Sequence, residues 1–236
     1  MLLTVQDAAR LLRTSDRQVY RWVDEGEIPY QRIREQIRFN RTELLEWATS
    51  RRLAISLETF DEDDDEADQP AAPILAAALQ LGGVHPDAPG SDSSSVLRAV
   101  IDRTALPANA DREMVTEVLI AREAASSTSI GDGIAVPHVR HPIVAPGAPP
   151  SVGVHYLRTP IPFDAPDGKP VRTVFMIVSP TVRAHLRIFA RLAHALQDPG
   201  FAYAIEQRAP LEQLVAEAAR VESRLAGAGR GGERRG

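Results

Sequence analysis

Residues 122–138 read REAASSTSIGDGIAVPH, and this stretch carries the densest chemical pattern in the chain. Two glycines, Gly131 and Gly133, precede a short apolar run that ends in Pro137 and His138. Glycine lets the backbone turn sharply and expose its amide groups, as anion-binding loops do. Pro137 restricts the backbone beside His138, so we expect the imidazole to project from the end of a rigid strand.

A histidine in this position can act as a nucleophile and carry a phosphoryl group as a covalent intermediate. The ring must attack in its neutral form, and an unperturbed pKa of about 6.5 leaves it largely neutral at physiological pH. Arg122 and Arg140 can balance the phosphate charge through forked hydrogen bonds. Ser127 and Thr128 add hydroxyl donors. These residues are therefore predicted to bind phosphate next to His138.

The stretch from Arg122 to His138 resembles, without a gap, the phosphorylation-site signature of one class of phosphotransferase enzyme IIA domains. This is the mannitol, fructose and nitrogen-regulatory class, also called type 2, and the resemblance extends over about residues 75–219. It implies that an HPr-like histidine phosphocarrier phosphorylates His138. It also implies roles for His185 as a second site histidine and for Arg122 as the site arginine. The phosphoryl group would derive from phosphoenolpyruvate, without a cofactor, and a IIB protein is one candidate acceptor.

A metal site is the alternative interpretation of this region, because His141 follows His138 closely. No third or fourth ligand stands at a recognisable spacing, and the chain contains no cysteine, so no metal is predicted. We interpret His85, His155 and His194 as structural.

Hydrophobic periodicity predicts that residues 74–225 form an α/β domain, and the resemblance to enzyme IIA implies a mixed central sheet flanked by helices. Helices are expected around Leu75–Leu81, Val96–Arg103, Asp111–Ala121, Ala184–Gln197 and Leu211–Ala219, and strands at Ile134–Val136, Val152–Leu157 and Val174–Val178. The glycine- and arginine-rich end of the chain, residues 226–236, is predicted to be disordered.

Residues 1–53 form a separate, mainly helical unit by their capping pattern. Thr4, Ser15 and Asn40 each precede a carboxylate or amide by three positions, a spacing typical of helix starts. Apolar and polar residues alternate over residues 30–39, which predicts a small β-hairpin. Residues 3–52 resemble the winged helix-turn-helix of excisionase and MerR-like regulators.

That resemblance implies that the second helix enters the major groove of DNA. Arg17, Gln18 and Arg21 would then read bases or phosphates. The hairpin would form a wing with phosphate-contacting side chains, namely Arg32, Arg34 and Arg38. The wing turn at Glu35-Gln36 lacks the expected glycine. One such unit has a small footprint, so tight binding would require a homodimer. The alternative is that this fold contacts protein.

Charge distribution separates the two units. Residues 1–53 hold ten arginines against eight acids, whereas residues 54–68 hold eight acids and no base. We interpret residues 54–73 as an acidic linker. A second interpretation is that they compete with DNA for the basic N-terminal unit. With neither a signal peptide nor an apolar run of about 18 residues, a cytoplasmic protein that does not cross the membrane is predicted.

Three functions remain open at this point. The chain is a phosphocarrier that relays phosphate from His138, or a transcription regulator in which phosphorylation of His138 changes DNA affinity or oligomeric state. The third hypothesis is a non-reactive enzyme IIA domain that only binds partners. The first two are compatible with each other.

Overall fold

The computed structural model describes residues 2–61, 74–108, 110–138 and 149–232. The chain divides into two compact units, Met1–Asp65 and Glu66–Gly236. In the described part of the chain, no helix combines the length and hydropathy that a membrane crossing requires.

The N-terminal unit combines short helices with a three-stranded antiparallel sheet of strand order β1-β3-β2. Its elements are β1 (Leu2–Leu3), α1 (Val5–Leu11), α2 (Asp16–Asp24), β2 (Gln31–Ile33), β3 (Gln36–Asn40), α3 (Arg41–Ser50) and α4 (Glu58–Asp61). Thr4, Ser15 and Asn40 are the N-caps of α1, α2 and α3, and each side chain accepts a backbone N–H of the first turn. The predicted helix starts are therefore confirmed.

The wing hairpin turns at Arg34-Glu35, one residue earlier than the sequence suggests. Both residues have positive φ, 48° and 65°, and Ile33 pairs with Gln36 across them. This is the backbone of a two-residue type I′ turn, which normally favours asparagine and glycine. The turn therefore forms without glycine, at the cost of backbone strain.

The beginning of the predicted linker packs as part of the N-terminal unit. Ile55, Leu57 and Phe60 are buried, and the Ser56 N–H donates to the Leu11 carbonyl at 2.8 Å. Apolar side chains at these positions explain why residues 54–61 pack although acids follow them. The rest of the predicted linker, residues 62–73, lies outside the described residues.

The C-terminal unit is an α/β domain, as predicted. Its helices are α5 (Ile74–Gly82), α6 (Ser93–Arg103), α7 (Arg112–Ala125), α8 (Val182–Ala195), α9 (Pro199–Glu206) and α10 (Leu211–Gly232), and its strands are β4 (Val84–Ala88), β5 (Ser129–Gly131), β6 (Ile134–Ala135), β7 (Ser151–Ile161) and β8 (Val171–Val178). The strand order is β4-β7-β8-β6-β5. Strands β4 and β7 are parallel, as are β6 and β8, whereas β7–β8 and β5–β6 are antiparallel.

Helices cover the sheet and shield its apolar side chains. Helices α6 and α7 pack on the sheet through one aliphatic cluster that includes Leu97, Ile101, Leu119 and Val174. Helix α5 contacts β7, α8 contacts β8, and α10 contacts α5, α8 and α9. The strands of the middle of the sheet are thereby excluded from water, which is why β8 is apolar along most of its length.

A buried carboxylate joins the two ends of this unit. Glu222 of α10 accepts the Leu75 and Ala76 N–H groups at 2.8 and 3.1 Å. These amides belong to the first turn of α5, which has no intrahelical partner for them. Arg191 lies 3.8 Å from the same carboxylate. Helix α10 therefore fixes the start of α5.

The final helix extends further than the sequence predicts. Residues from 226 onward were expected to be disordered, but α10 continues to Gly232. Once a helix is anchored by packing, each further residue adds a hydrogen bond without a new nucleation step. In this structure residues 226–232 continue α10 and residues 233–236 lie outside the described part, so disorder at the end of the chain stays a prediction.

Candidate active site

His138 lies three residues after the end of β6, at the end of a segment with fixed backbone. The Val136 N–H donates to the Thr128 carbonyl at 3.1 Å, which ties the residues before the histidine to the neighbouring loop. His138 Nδ1 lies 2.8 Å from the Val136 carbonyl oxygen. Because a carbonyl can only accept, Nδ1 carries the ring proton and the lone pair lies on Nε2.

The second site histidine comes from the start of α8. Thr181 caps this helix and accepts the Ala184 N–H at 3.1 Å, so His185 lies in the first turn. The ring centroids of His138 and His185 are 6.1 Å apart. The structure therefore brings together two histidines that are 47 positions apart in the sequence.

His185 is enclosed, with 1% of its surface exposed. Neither of its ring nitrogens has a hydrogen-bond partner in the described part of the chain. Burial, with a smaller contribution from the nearby His138, lowers the pKa of His185 to about 3. The ring is therefore neutral at physiological pH, with one N–H that can donate to an incoming group.

Phe189 completes the group of rings, although it is not among the predicted site residues. Its ring centroid lies 5.5 Å from that of His138 and 6.3 Å from that of His185. Phe189 stands four residues after His185, a spacing that places both on one face of α8. That spacing is the signal from which its position could have been predicted.

The loop before β5 is held by hydrogen bonds that two of its hydroxyl groups donate. The Ser127 hydroxyl donates to the Phe163 carbonyl. The Thr128 hydroxyl and N–H both donate to the Glu123 carboxylate. Each hydroxyl has only one hydrogen to donate, so in this structure Ser127 and Thr128 shape the loop, and their contact with phosphate stays a prediction.

Glu123, the second residue of the signature, is an acid that the sequence did not single out as a site residue. It is 8% exposed. Burial raises the pKa of Glu123, while the hydrogen bonds from Thr128 act in the opposite direction. Its role in the structure is to hold the loop that leads to the glycine turn.

The glycine turn has the backbone that the sequence predicts. Gly131, Asp132 and Gly133 all have positive φ, at 90°, 54° and 74°. The Asp132 carboxylate pairs with Lys169 at 2.9 Å, and its N–H donates to Asp167 at 2.8 Å. Asp132 is therefore a turn residue that is joined to the segment before β8.

The two predicted site arginines differ in what the structure describes. Arg122 Nη1 donates to the Ser126 carbonyl at 2.7 Å, which places its guanidinium at the C-terminal end of α7. Arg140 lies outside the described residues, as does His141. His138 itself is only 3% exposed. The ring is therefore covered in this conformation.

A second pair of histidines lies between β4 and β7. The rings of His85 and His155 are stacked with centroids 4.5 Å apart, and His85 Nε2 lies 2.9 Å from the Gly82 carbonyl oxygen. Burial lowers the pKa of His155 to about 3. Across the residues that the structure describes, no three histidine or acidic side chains are grouped as a metal site requires.

The N-terminal unit presents the predicted DNA-contacting side chains at or near its surface. Arg17 and Arg21 are exposed on α2, and Gln18 is half-buried beside them. Arg21 pairs with Glu25 at 2.9 Å. The wing carries the remaining three predicted contacts, with Arg32 and Arg34 exposed and Arg38 half-buried.

Comparison with known proteins gives the same division of the chain. Residues 79–217 match the family described as "Phosphoenolpyruvate-dependent sugar phosphotransferase system, EIIA 2". Residues 2–52 match a family of helix-turn-helix domains. These matches confirm both resemblances seen in the sequence.

Individual relatives match the C-terminal unit. The chain is 34% identical over 126 residues to the nitrogen regulatory protein of Pseudomonas aeruginosa, covering 52% of this chain and 79% of that protein. It is 34% identical over 88 residues to the PTS system fructose-specific EIIA component of Haloferax volcanii, covering 36% and 55% respectively. The crystal structure of nitrogen regulatory protein IIA-Ntr from Neisseria meningitidis superimposes with a TM-score of 0.50 at 24% identity, covering 61% of this chain and 99% of that one. That likeness confirms the α/β fold.

Proposed function

Because the chain belongs to the enzyme IIA type 2 family of the phosphoenolpyruvate-dependent sugar phosphotransferase system, we propose that His138 accepts a phosphoryl group from an HPr-like histidine phosphocarrier. The observation that carries this proposal is the pairing of two imidazoles. His138 has its proton fixed on Nδ1 by the Val136 carbonyl, and beside it His185 has nitrogens without a partner in the described part of the chain.

The fixed tautomer makes Nε2 of His138 the attacking atom. In the transfer, the bond between phosphorus and the donor's imidazole nitrogen breaks while a bond between phosphorus and His138 Nε2 forms. Nδ1 keeps its proton and continues to donate to the Val136 carbonyl. The donor leaves as an imidazole, so the step needs no general base and no metal on this chain.

His185 is the residue placed to stabilise the phosphoryl group. A buried N–H without an acceptor costs free energy, and a phosphoryl oxygen supplies that acceptor. The His185 N–H lies in a water-excluded environment, where a hydrogen bond to a charged oxygen is strong. The unphosphorylated site therefore already holds a donor in position before the charge arrives.

Transfer also requires that the carrier reach Nε2. The ring is 3% exposed, and nucleophilic displacement needs the two reacting atoms at about 3–3.5 Å. We therefore expect carrier docking to be accompanied by a local rearrangement that uncovers His138. The phosphoryl group would come ultimately from phosphoenolpyruvate. It would pass on to a IIB protein, or it would stay on His138 as a regulatory mark.

The test is incubation of the full chain with phosphoenolpyruvate, enzyme I and an HPr-like carrier, followed by intact-mass measurement. We expect a gain of one phosphate that is absent from His138→Ala and retained by His194→Ala, which changes another histidine of the C-terminal unit. Phosphate retained by His138→Ala would show that another residue is the acceptor. No phosphate on the wild-type chain would favour the non-reactive binding module.

A second function is supported by the N-terminal unit, whose residues 2–52 match helix-turn-helix domains. We propose that it binds DNA, with Arg17, Gln18 and Arg21 of α2 in the major groove and the wing arginines on phosphates. Phosphorylation of His138 would then regulate DNA affinity or oligomeric state, and a homodimer would supply the footprint for tight binding. A cytoplasmic location fits both partners.

The DNA proposal is tested by pull-down of genomic fragments with phosphorylated and unphosphorylated protein. We expect at least one form to retain fragments, and the double variant Arg17→Gln, Arg21→Gln to lose them. Arg98→Gln, an exposed arginine on α6, is the matched control and should bind like wild type. If neither form retains DNA, the regulator hypothesis fails and the carrier hypothesis is unaffected.

A further inference from the structure

A cavity of about 450 Å³ lies in the C-terminal unit and does not include either site histidine in its lining. It is lined at the start of β6 by Ile134 and just after the end of α8 by Leu196. His138 lies four residues beyond Ile134, about 13 Å along an extended chain. His185 lies eleven residues before Leu196, about 16 Å along a helix. The cavity and the histidine pair therefore lie towards opposite ends of α8 and of the segment from Ile134 to His138.

Thr173 of β8 supplies a polar group without a partner. Thr173 belongs to the lining of the cavity, 1% of the residue is exposed, and Oγ1 is closed off from solvent without a hydrogen-bond partner in the described part of the chain. Thr173 pairs across the sheet with Ile134, so both face the same side. A buried hydroxyl without a partner costs free energy, and a ligand oxygen in the cavity would satisfy it once a local shift opens Oγ1 to the cavity.

Two opposite charges in the lining are also without partners. Arg172 and Glu206 line the cavity, and neither side chain forms an ion pair or hydrogen bond with any residue that the structure describes. By contrast, the other two charged lining residues, Lys169 and Asp132, neutralise each other at 2.9 Å. The cavity therefore offers one cation and one anion that are unpaired within the described part of the chain and do not pair with each other.

The glycine turn contributes to the position of the cation. A Cβ atom added to Gly133 would lie 2.9 Å from Arg172 Nε and 3.1 Å from the Pro170 carbonyl oxygen. The arginine stem can therefore lie against the turn only because residue 133 has no side chain. The remaining surface is mainly apolar, with Ile134, Leu196 and Ile205 in the lining and the exposed ring of Tyr203 beside them.

We propose that this cavity binds a small zwitterion, an α-amino acid with an apolar or aromatic side chain. Its carboxylate would accept hydrogen bonds from the Arg172 guanidinium and the Thr173 hydroxyl, and its ammonium would donate to the Glu206 carboxylate. Its side chain would pack on Ile134, Leu196 and Ile205. The volume is within the range of small-molecule sites, which combine an apolar lining with a few convergent polar groups.

The test is a titration of the ¹⁵N-labelled full chain, followed by NMR chemical shifts, with L-phenylalanine and L-leucine as probes. Phenylpropionate, which lacks the ammonium, and phenylethylamine, which lacks the carboxylate, are the matched comparison ligands. We expect saturable shifts of cavity residues with at least one amino acid, and binding of each comparison ligand weaker by at least about tenfold, because charge-assisted hydrogen bonds are lost. Absence of saturable shifts with both amino acids, or equal binding of phenylpropionate, would overturn the proposal.

Variants assign the contacts. Arg172→Gln and Glu206→Gln change exposed side chains, and each should weaken amino-acid binding by at least about tenfold, whereas Arg98→Gln should not.

Thr173→Val gives two readouts of opposite sign: removal of an unpaired buried hydroxyl should raise the melting temperature of the ligand-free chain, while the affinity for the amino acid should fall. Unchanged affinity in all three variants would contradict the site. His138→Ala should bind the amino acid normally, so this inference can fail or hold independently of phosphorylation.

Discussion

At the residue scale, the proposed function depends on a buried neutral imidazole, His185, beside His138, the proposed phosphoacceptor. Its pKa is held at about 3, chiefly by burial. A phosphoryl group on His138 brings negative charge next to this ring, which favours protonation of the ring. We expect the pKa of His185 to rise on phosphorylation, measured by NMR titration of ¹⁵N-histidine-labelled protein. An unchanged pKa would show that the phosphoryl group does not lie against His185.

Replacement of the same residue tests its contribution to the rate. His185→Gln keeps a hydrogen-bond donor but not its position, and we expect phosphorylation by the carrier to slow by about tenfold or more. His194→Gln, on the same helix, is the control and should react at the wild-type rate. Rapid-quench measurement of phosphoprotein gives both rates, and equal rates for the two variants would remove His185 from the mechanism.

His155 makes the C-terminal unit sensitive to acid. Burial lowers its pKa in the folded state to about 3, whereas the pKa in the unfolded chain is about 6.5. Between these values the unfolded chain takes up a proton and the folded chain does not. The stability contribution is therefore fully present above about pH 6.5 and falls as the pH is lowered towards about 3, by up to about 1.4 kcal/mol per pH unit.

The matching experiment is urea unfolding of His155→Phe and wild type at about pH 7 and about pH 5. Phenylalanine does not titrate, so residue 155 of the variant adds nothing to the pH dependence of the free energy of unfolding. Circular dichroism at the helical band follows the larger unit. On going from about pH 7 to about pH 5, we expect the free energy of unfolding of the variant to fall by about 1–2 kcal/mol less than that of wild type. Equal losses would show that His155 is not neutral and buried as the structure has it.

At the element scale, long and strongly patterned segments were predictable. Helix α8 was expected at Ala184–Gln197 and lies at Val182–Ala195, because its apolar residues recur at helical spacing. Three short elements of the C-terminal unit were missed. Strand β4 contains Pro86 and Asp87, which disfavour strands in general but are tolerated at the edge of a sheet. Strand β5 has only three residues, and α9 begins with Pro199-Gly200, a pair that normally indicates a turn.

Within the candidate site, sequence could predict the acceptor loop and the positive φ values of the glycine turn. It could not predict the destinations of the hydroxyl groups. Ser127 donates to Phe163, which lies 36 positions away, and Thr128 donates to Glu123. Such choices depend on which tertiary acceptors come within reach, and a linear pattern does not contain that information.

The wing hairpin gives a prediction about stability. Glu35 occupies the second central position of the turn with φ of 65°, where glycine is unstrained. Glu35→Gly should therefore stabilise the N-terminal unit by about 0.5–1 kcal/mol. Both tryptophans of the chain, Trp22 and Trp47, lie in this unit, so tryptophan fluorescence during urea unfolding reports on it. Gln31→Gly, in strand β2, is the control and should destabilise.

At the scale of the whole molecule, charge is divided between units of different purpose. The N-terminal 53 residues are net positive by two, whereas the complete chain has a formal charge of −5. A basic helix-turn-helix unit within an acidic chain fits a regulator whose affinity for DNA depends strongly on salt. The family assignment of the larger unit and the histidine pair in it fit a phosphoacceptor. Both activities can therefore belong to one polypeptide.

Salt dependence distinguishes specific phosphate contacts from general attraction. If Arg32 contacts a DNA phosphate, Arg32→Gln should weaken binding to all sequences alike and reduce the slope of log K against log salt by about one. Fluorescence anisotropy with a recovered DNA fragment measures this slope. Arg103→Gln, in the C-terminal unit, should leave it unchanged, and an unchanged slope in Arg32→Gln would remove the wing from the interface.

The most direct measurement for the central claim identifies which nitrogen of His138 carries phosphate. Long-range ¹H–¹⁵N correlation spectra of ¹⁵N-histidine-labelled, carrier-phosphorylated protein distinguish the two ring positions. The hydrogen bond from Nδ1 to the Val136 carbonyl predicts phosphate on Nε2, with Nδ1 still protonated. Phosphate on Nδ1 of His138, or on any other histidine, would contradict the account.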